Sequence, residues 1–481
     1  MLKKVIITAS ALWALAARAE PGEAELLAGL PDYSQTGYGY GQEPPRVAPS
    51  ARARDFGALP DDGKDDSAAL QKALDEMKPG ALLLETGSYQ ISAQLLIRRP
   101  GLVLRGAGRD KTTLRFAKSL EELKPAPTTN TGGTPTSAYS WSGGLIAIQS
   151  RGPGKALAQV KAGEGPRLTL ARASELKPGQ ALYLSLKDDK SQSLSKALYA
   201  GDPGDIRKMT NQRLSLPVRV KSIAGLQVTL MQPLLFPVDP AWQPELCEDL
   251  SRSGCGVEEL SLEFPATPYL GHFKERGWNG VELHGAHNWL RSLGIRNADS
   301  GVFVHGHHNS VLDLHITSKR PPAGKSRDVG HHAVMLSGSA NLLSGYRSDC
   351  QFIHDLGLSS GSIANVFENC HGPALSFDHH KRGPCFNLFC DIDVGSGANI
   401  YRHGGGENLG RPCGRGTVFW NIRSRSALPA APDDWAPADL LLVGVTLQAG
   451  SRYRVLPVPA AELKVPNPRL AQKTGRNSRP E

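Results

Sequence analysis

The chain has 481 residues, 40% of them hydrophobic but only 6% aromatic, with 52 glycines and 35 prolines along its length and a formal charge of +9. A chain of this size and apolar content buries a large core, which excludes general disorder and a disulfide-stapled mini-protein. The basic excess is modest and is not interleaved with aromatics, which argues against nucleic-acid binding.

The opening stretch MLKKVIITASALWALAARAE joins Lys3 and Lys4 to a short apolar run and a small-x-small site at Ala17-Arg18-Ala19. It predicts a signal peptide over 1–19 and a secreted or periplasmic protein. Cleavage removes Lys3, Lys4 and Arg18 and leaves +6, which favours acidic partners at long range. No later run is long and apolar enough to predict a membrane span. Residues 20–50, rich in Gly, Pro and Tyr, read as an extended leader on the surface. Seven cysteines in an oxidising compartment allow up to three bridges, with Cys247 and Cys255, flanking a short loop, the easiest pair to propose. No CxxC spacing is present, which argues against a cysteine zinc site.

Residues 51–149 read as an N-terminal cap and first coils. RDFGALPDDGKDDSAALQKALDEM predicts a short strand, an Asp- and Gly-dense turn, and a helix capped near Asp66 or Ser67, with Leu70, Ala73, Leu74 and Met77 on one face. Short β-like runs follow (ALLLETGSYQIS, LLIRRPGLVLRGAG, TTLRF), separated by glycine turns with no second long helix, the pattern of a solenoid or a barrel. Residues 150–245 interrupt it with antiparallel hairpins and a Lys- and Ser-rich loop over 187–198, read as an inserted β subdomain. Central coils occupy 246–425. The Pro- and Ala-rich tail, 426–481, is expected to wrap back over them and end loosely.

The central coils are written by their asparagines. NWLRSLGI begins at Asn288, NSVLDLHI at Asn309, NLLSGYRS at Asn341, NVFENCHG at Asn365 and NLFCDIDV at Asn387, and TVFWNIRS at Thr417 looks like the next row; the spacings are 21, 32, 24, 22 and 30. A coil of about 22 residues therefore repeats, twice with roughly 8–10 inserted. In a parallel β-helix such asparagines form a ladder whose amides satisfy one another and the turn backbone.

The segment 54–116, with DFGA, the acidic DG turn, the AALQKAL helix, GSYQI and the RGAG turn, resembles the N-terminal signature of the pectate-lyase superfamily. That resemblance implies an all-β, right-handed parallel β-helix whose helix caps the open end of the solenoid. It implies no single reaction, since lyases, hydrolases and epimerases share the fold.

All fourteen histidines lie between His272 and His403. His332, His354, His379 and His403 are separated by 22, 25 and 24 residues, close to one coil each, and are expected to line one face. Beside them stand His331, Asp355, Asp378, His380, Lys381, Arg382 and Arg402. Two coil insertions project Lys319, Arg320, Lys325, Arg327, Glu407 and Arg411. A groove with cationic walls and titratable groups on its floor suits an extended acidic polysaccharide. The other histidines, among them His284, His305 and His307, fall at other phases and read as structural or rim residues.

In a lyase, a cation neutralises the uronate carboxylate, a base takes the C5 proton and an acid protonates the leaving oxygen. The expected base is His379 or His354, oriented by Asp378 or Asp355, with Arg327 or Arg402 on the carboxylate and His332 binding or protonating. Lys381 stays a candidate base, because the family's other lyases often use Lys or Arg, sometimes with calcium. His331, His380, Arg382, His403, Asp299 and Asn297 complete the expected binding set. A hydrolase would instead use paired acids among Asp299, Asp355 and Asp378, about 4.8 Å apart on adjacent coils. A non-catalytic carbohydrate-binding β-helix is the third reading. The serine pattern Gly357–Gly361 with His403-Gly404-Gly405-Gly406 lacks the strand-to-helix elbow of an esterase and runs in the wrong order. HExxH is absent, and Asp378-His379-His380 on a cationic face is a poor cation site, so no metal centre is expected there, while calcium stays open as a cofactor.

Overall fold

The computed structural model describes residues 30–322, 324–456 and 468–469; the expected signal peptide and the loose end of the tail lie outside the described residues.

The asparagine column sets the register. Backbone N–H groups of Cys255, Asn288, Asn309, Asn341 and Asn365 donate to the Oδ1 atoms of Asn288, Asn309, Asn341, Asn365 and Asn387 in turn, at 2.8 to 3.0 Å. All five asparagines are fully buried. The residue before each row is left-handed: Gly254, His287, His308, Ala340, Ala364, Phe386 and Gly416 have φ between 51° and 72°. That bend turns the chain sharply, and the amide behind it pairs backbone groups that burial would otherwise leave without partners.

From each bend a strand enters a parallel sheet of fourteen strands, in which Trp289–Arg296, Ser310–Thr317, Leu342–Ser348, Val366–Glu368, Leu388–Asp393 and Val418–Arg423 are successive neighbours. Leu290, Val311, Leu343, Phe367, Phe389, Phe419 and Leu442 stack in one buried column, with the Phe367 and Phe389 rings parallel at 4.6 Å. Burying each such side chain contributes about 1.5–3 kcal/mol. A second parallel sheet of seven strands closes each coil: Leu95–Ile97, Ile146–Ile148, Asn279–Leu283, Ser300–His307, His332–Ser339, His354–Leu358 and Phe377–His379. The molecule is therefore a parallel β-helix.

The helix Ser67–Glu76 has Asp66 as its N-cap residue and buries Leu70, Ala73 and Leu74. Its Gln71 side chain donates to the Leu96 carbonyl (3.1 Å) and accepts from the Leu96 N–H (2.8 Å). Leu96 lies on the edge strand of the second sheet, so one amide covers backbone that would otherwise invite another chain.

Between Ile146–Ile148 and Gly256–Glu263 the chain leaves the solenoid and closes an antiparallel six-stranded barrel from Pro153–Glu164, Arg167–Leu170, Ala181–Lys187, Arg213–Ala224, Gln227–Leu230 and Glu245–Asp249. Its core of Leu168, Leu184, Val220 and Leu246 continues into Ile363, Cys385 and Phe386 of the coils, which fastens it to the solenoid. Two expectations are corrected here. Residues after Ser426 add two more rungs, Leu441–Val443 and Arg454–Leu456, where a wrap had been expected. Cys247 and Cys255 do not pair: Cys247 belongs to the barrel and Cys255 precedes a solenoid strand, and all seven cysteines are free.

Candidate functional site

His332 and His354 open neighbouring strands of the second sheet and pair in register, with rings 5.0 Å apart and 24° from parallel. Their separation of one uninterrupted coil makes them vertical neighbours. His331 stacks on His332 at 4.0 Å. Asp378 follows in the outward row Phe303, Met335, Gly357, Asp378. Its Oδ1 lies 3.3 Å from His354 Nδ1 and accepts the Gly404 N–H at 2.7 Å, and its Oδ2 lies 2.7 Å from His380 Nδ1. A Cβ on Gly404 would stand 2.4 Å from His380 Nε2, so this glycine leaves room for the ring. The His403-Gly404-Gly405-Gly406 turn thus serves the histidine cluster.

Loops complete the group. His272 and Glu275 come from the segment before Asn279–Leu283; the His272 ring is 4.5 Å from His331 and 6.1 Å from His354, and Glu275 Oε1 is 3.3 Å from His331 Nδ1. Arg402 holds Asp328 through both oxygens, at 3.3 and 3.1 Å. Lys381 donates to the Gly406 carbonyl. His272 and His403 are exposed, and His380, Lys381, Arg382 and Arg402 are half-buried.

Burial and repulsion within the cluster lower the pKa values of His331 and His332 well below that of a free imidazole. Burial takes His354 down to about 4 even though Asp378 pulls the other way. For Asp378 burial acts upward, but His354 and His380 overcome it and the carboxyl stays below its usual range. His380 is the converse case: burial acts downward and the Asp378 charge carries it above its usual value. Glu275 is pushed up to about 7 by burial, against hydrogen bonds from Tyr269 and Ser140. The cluster thus sets imidazoles of lowered basicity beside one, His380, whose basicity the Asp378 carboxylate raises.

Several expected residues fall elsewhere. His379 aligns with Leu358, a core position, and is fully buried against Trp435 (4.8 Å) and Phe389 (5.5 Å), with Nδ1 on the Phe377 carbonyl; burial takes its pKa to about 4. It is not a surface base. His379→Leu is expected to leave activity per folded molecule unchanged, which comparing specific activities at equal folded fraction checks. Asp355 orients no imidazole: its backbone and carboxylate engage Ser376, and burial raises the acid to about 8. Asp299 is a clamp, paired with Arg320 at 2.8 Å and accepting the Arg276 and Trp278 N–H groups. Asn297 likewise ties the Phe264 carbonyl to the Lys319 N–H. Arg327 is exposed on its insertion, where the neighbouring Asp328 and not Arg327 reaches the cluster. The His403 ring lies 3.3 Å from the Gly404 carbonyl, on the exposed turn. His272, Glu275 and Asp328 were missed, because loops and insertions carry no coil period; the crowding of histidine between His272 and His403 was the one signal for His272.

A second group stands at the opposite ends of the strands. Glu282 lies 3.5 Å from His284 Nε2 and 3.4 Å from His305 Nε2, beside a cleft of about 340 Å³ between sheet and barrel lined by Arg151, Tyr183, Arg213, His284, His305 and His307. Potential metal ligands converge, among the described residues, in His272–His331–His354, His332–Asp378–His380, Glu282–His284–His305 and His287–His307–His308. Every group is rich in imidazole, whereas calcium takes oxygen donors, so none suits the calcium that the sequence left open.

Residues 51–144 match the family model described as rhamnogalacturonase A/epimerase, pectate lyase-like. The match lies in the cap and first coils of the parallel β-helix. Curated protein sequences give no match. Among solved structures, the tailspike protein gp49 from Pseudomonas phage LKA1 is 12% identical, with 84% of this chain and 72% of that one covered and a TM-score of 0.46. The Gp54 tailspike of Acinetobacter baumannii bacteriophage AP22, solved with a capsular saccharide, is 11% identical over 84% and 69%, at 0.42. An alginate lyase from a Paenibacillus species is 11% identical over 81% and 93%, at 0.39. No helix among the described residues is long and apolar enough to cross a membrane.

Proposed function

We propose that this protein is an exported enzyme that cleaves an acidic, uronic-acid-containing polysaccharide by β-elimination at the His380 edge of the second sheet. One observation carries the reading: a partly exposed imidazole, His380, is held 2.7 Å from a buried ionised carboxylate beside loops that fix the Arg402 guanidinium on Asp328. Elimination needs these two groups, a proton carrier of tuned basicity and a fixed cation.

Arg402 neutralises the uronate carboxylate and so acidifies the C5 proton. His380 takes that proton, the C5–H pair becomes the C4–C5 double bond, the C4–O bond breaks, and the imidazolium protonates the departing oxygen. Asp378 orients the ring and stabilises its cationic form. Hydrolysis by paired acids is disfavoured, because Asp299, Asp355 and Asp378 are each at most 1% exposed and already engaged.

The test is incubation of the full chain with a panel of uronate polymers, following both ultraviolet absorbance of unsaturated ends and reducing sugar. Absorbance rising with reducing ends is the expected result. Reducing ends alone would establish hydrolysis, and saccharide binding without either signal would establish a non-catalytic β-helix.

A further inference from the structure

Buried polar atoms are nearly always hydrogen-bonded. At this site the buried Nδ1 atoms of His331, His332 and His354 lack a well-formed hydrogen bond, whereas His380 Nδ1 faces Asp378 Oδ2 at 2.7 Å. A neutral imidazole carries one N–H and one lone pair, so rings that face one another compete for too few acceptors. The shortage is sharpest for His272, His331 and His354, which offer ring nitrogens within 4.8 Å of one another with no carboxylate among the three. Asp378 and Glu275 stand behind them, each with an oxygen 3.3 Å from an Nδ1, on His354 and His331 respectively. Carboxylates at the back of imidazoles are the usual outer support of metal-binding histidines.

We infer that His272, His331 and His354 hold one divalent transition-metal ion of the zinc or cobalt type, with Glu275 and Asp378 as its outer carboxylates. Three neutral nitrogen donors match the preference of such ions, and two ligands on or beside a rigid sheet with a third on a loop fix the geometry. His331 and His354 are buried while His272 is exposed, so the ion is ringed by protein on one side and open on the other, the layout of catalytic zinc sites. Burial explains the arrangement from the other direction. Imidazoles exposed by 1% and 4%, as His331 and His354 are, have no route to a polymer chain, but an ion they hold does. The inference goes beyond the proposed cleavage, and binding of the ion does not depend on that reaction.

The experiment strips the full chain with a chelator and titrates it with Co²⁺ and, separately, Zn²⁺. Visible absorption of the bound cobalt reports nitrogen coordination, and elemental analysis after gel filtration gives stoichiometry. One tightly held ion at the site is expected, with affinity reduced roughly a hundredfold or more in His354→Ala. Because a buried substitution can disturb folding, His272→Ala on the exposed loop is the second variant, with circular dichroism as the fold check, and it is expected to lose affinity in the same direction. His284→Ala, in the other cluster, should leave this ion in place. Failure of the parent chain to retain Co²⁺ or Zn²⁺ would overturn the inference. So would binding untouched by His272→Ala and removed by His284→Ala, which would move the ion to Glu282 and His305.

Discussion

Replacing His380 with alanine is expected to lower the rate of elimination by about 10²–10⁴-fold, the range a positioned proton carrier contributes. His380 is only partly buried, and its side chain pairs with Asp378, so the variant should fold as the parent does and the loss should appear in kcat. Asp378→Asn should fall in the same direction, because a neutral amide neither raises the basicity of the ring nor stabilises its cation. Arg402→Ala removes the fixed cation and should depress kcat together with affinity for the polymer. Stopped assays on one uronate polymer, with folding checked by circular dichroism, separate these outcomes. A folded His380→Ala enzyme with parental kcat would remove His380 from the reaction and leave the fold intact.

The second large effect concerns the ladder. Asn341 accepts from the Asn309 N–H and Nδ2 (both 3.0 Å) and donates to the Gly306 carbonyl and to Asn365 Oδ1 (both 3.1 Å), all in the buried turn. Asn341→Ala strands the Asn309 N–H and the Gly306 carbonyl where no water replaces the amide. At about 1–3 kcal/mol for each orphaned group, a loss of about 2–6 kcal/mol is expected. Denaturant unfolding of parent and variant measures it. Asn341→Asp, which sets a buried carboxylate against the Gly306 carbonyl and Asn365 Oδ1, should lose at least as much as the alanine variant. An alanine variant as stable as the parent would mean that the column only accompanies the coil and does not hold it.

How much of this was legible in the sequence follows from where each residue sits in the coil. The recurrence of Asn288, Asn309, Asn341, Asn365 and Asn387 determined the fold and its register, because stacked coils repeat their turn chemistry and each amide must meet the next. His332 and His354, one uninterrupted coil apart, were placed side by side for the same reason. Spacing failed at His379. The coil between these two strands is 21 residues, with Leu356 opposite Phe377 and Leu358 opposite His379, so His379 stands four positions further along its strand than His354 does and keeps the same face while leaving the strand's open end. At that position His379 meets the core with Leu358, while Asp378 and His380 carry the site.

Nor could periodicity bring in His272, Glu275 or Asp328, which ride on segments outside the repeat and reach the cluster only once the coils have set where those segments begin and end. Cys247 and Cys255 teach the same lesson in reverse: closeness along the chain meant little, because barrel and solenoid part between them. The sequence by itself determined the architecture, since a repeat is a local pattern that stacking merely copies. Tertiary structure alone decided the site, because its charges and ring nitrogens come from different coils and loops, and the burial that sets their protonation exists only after those pieces have packed.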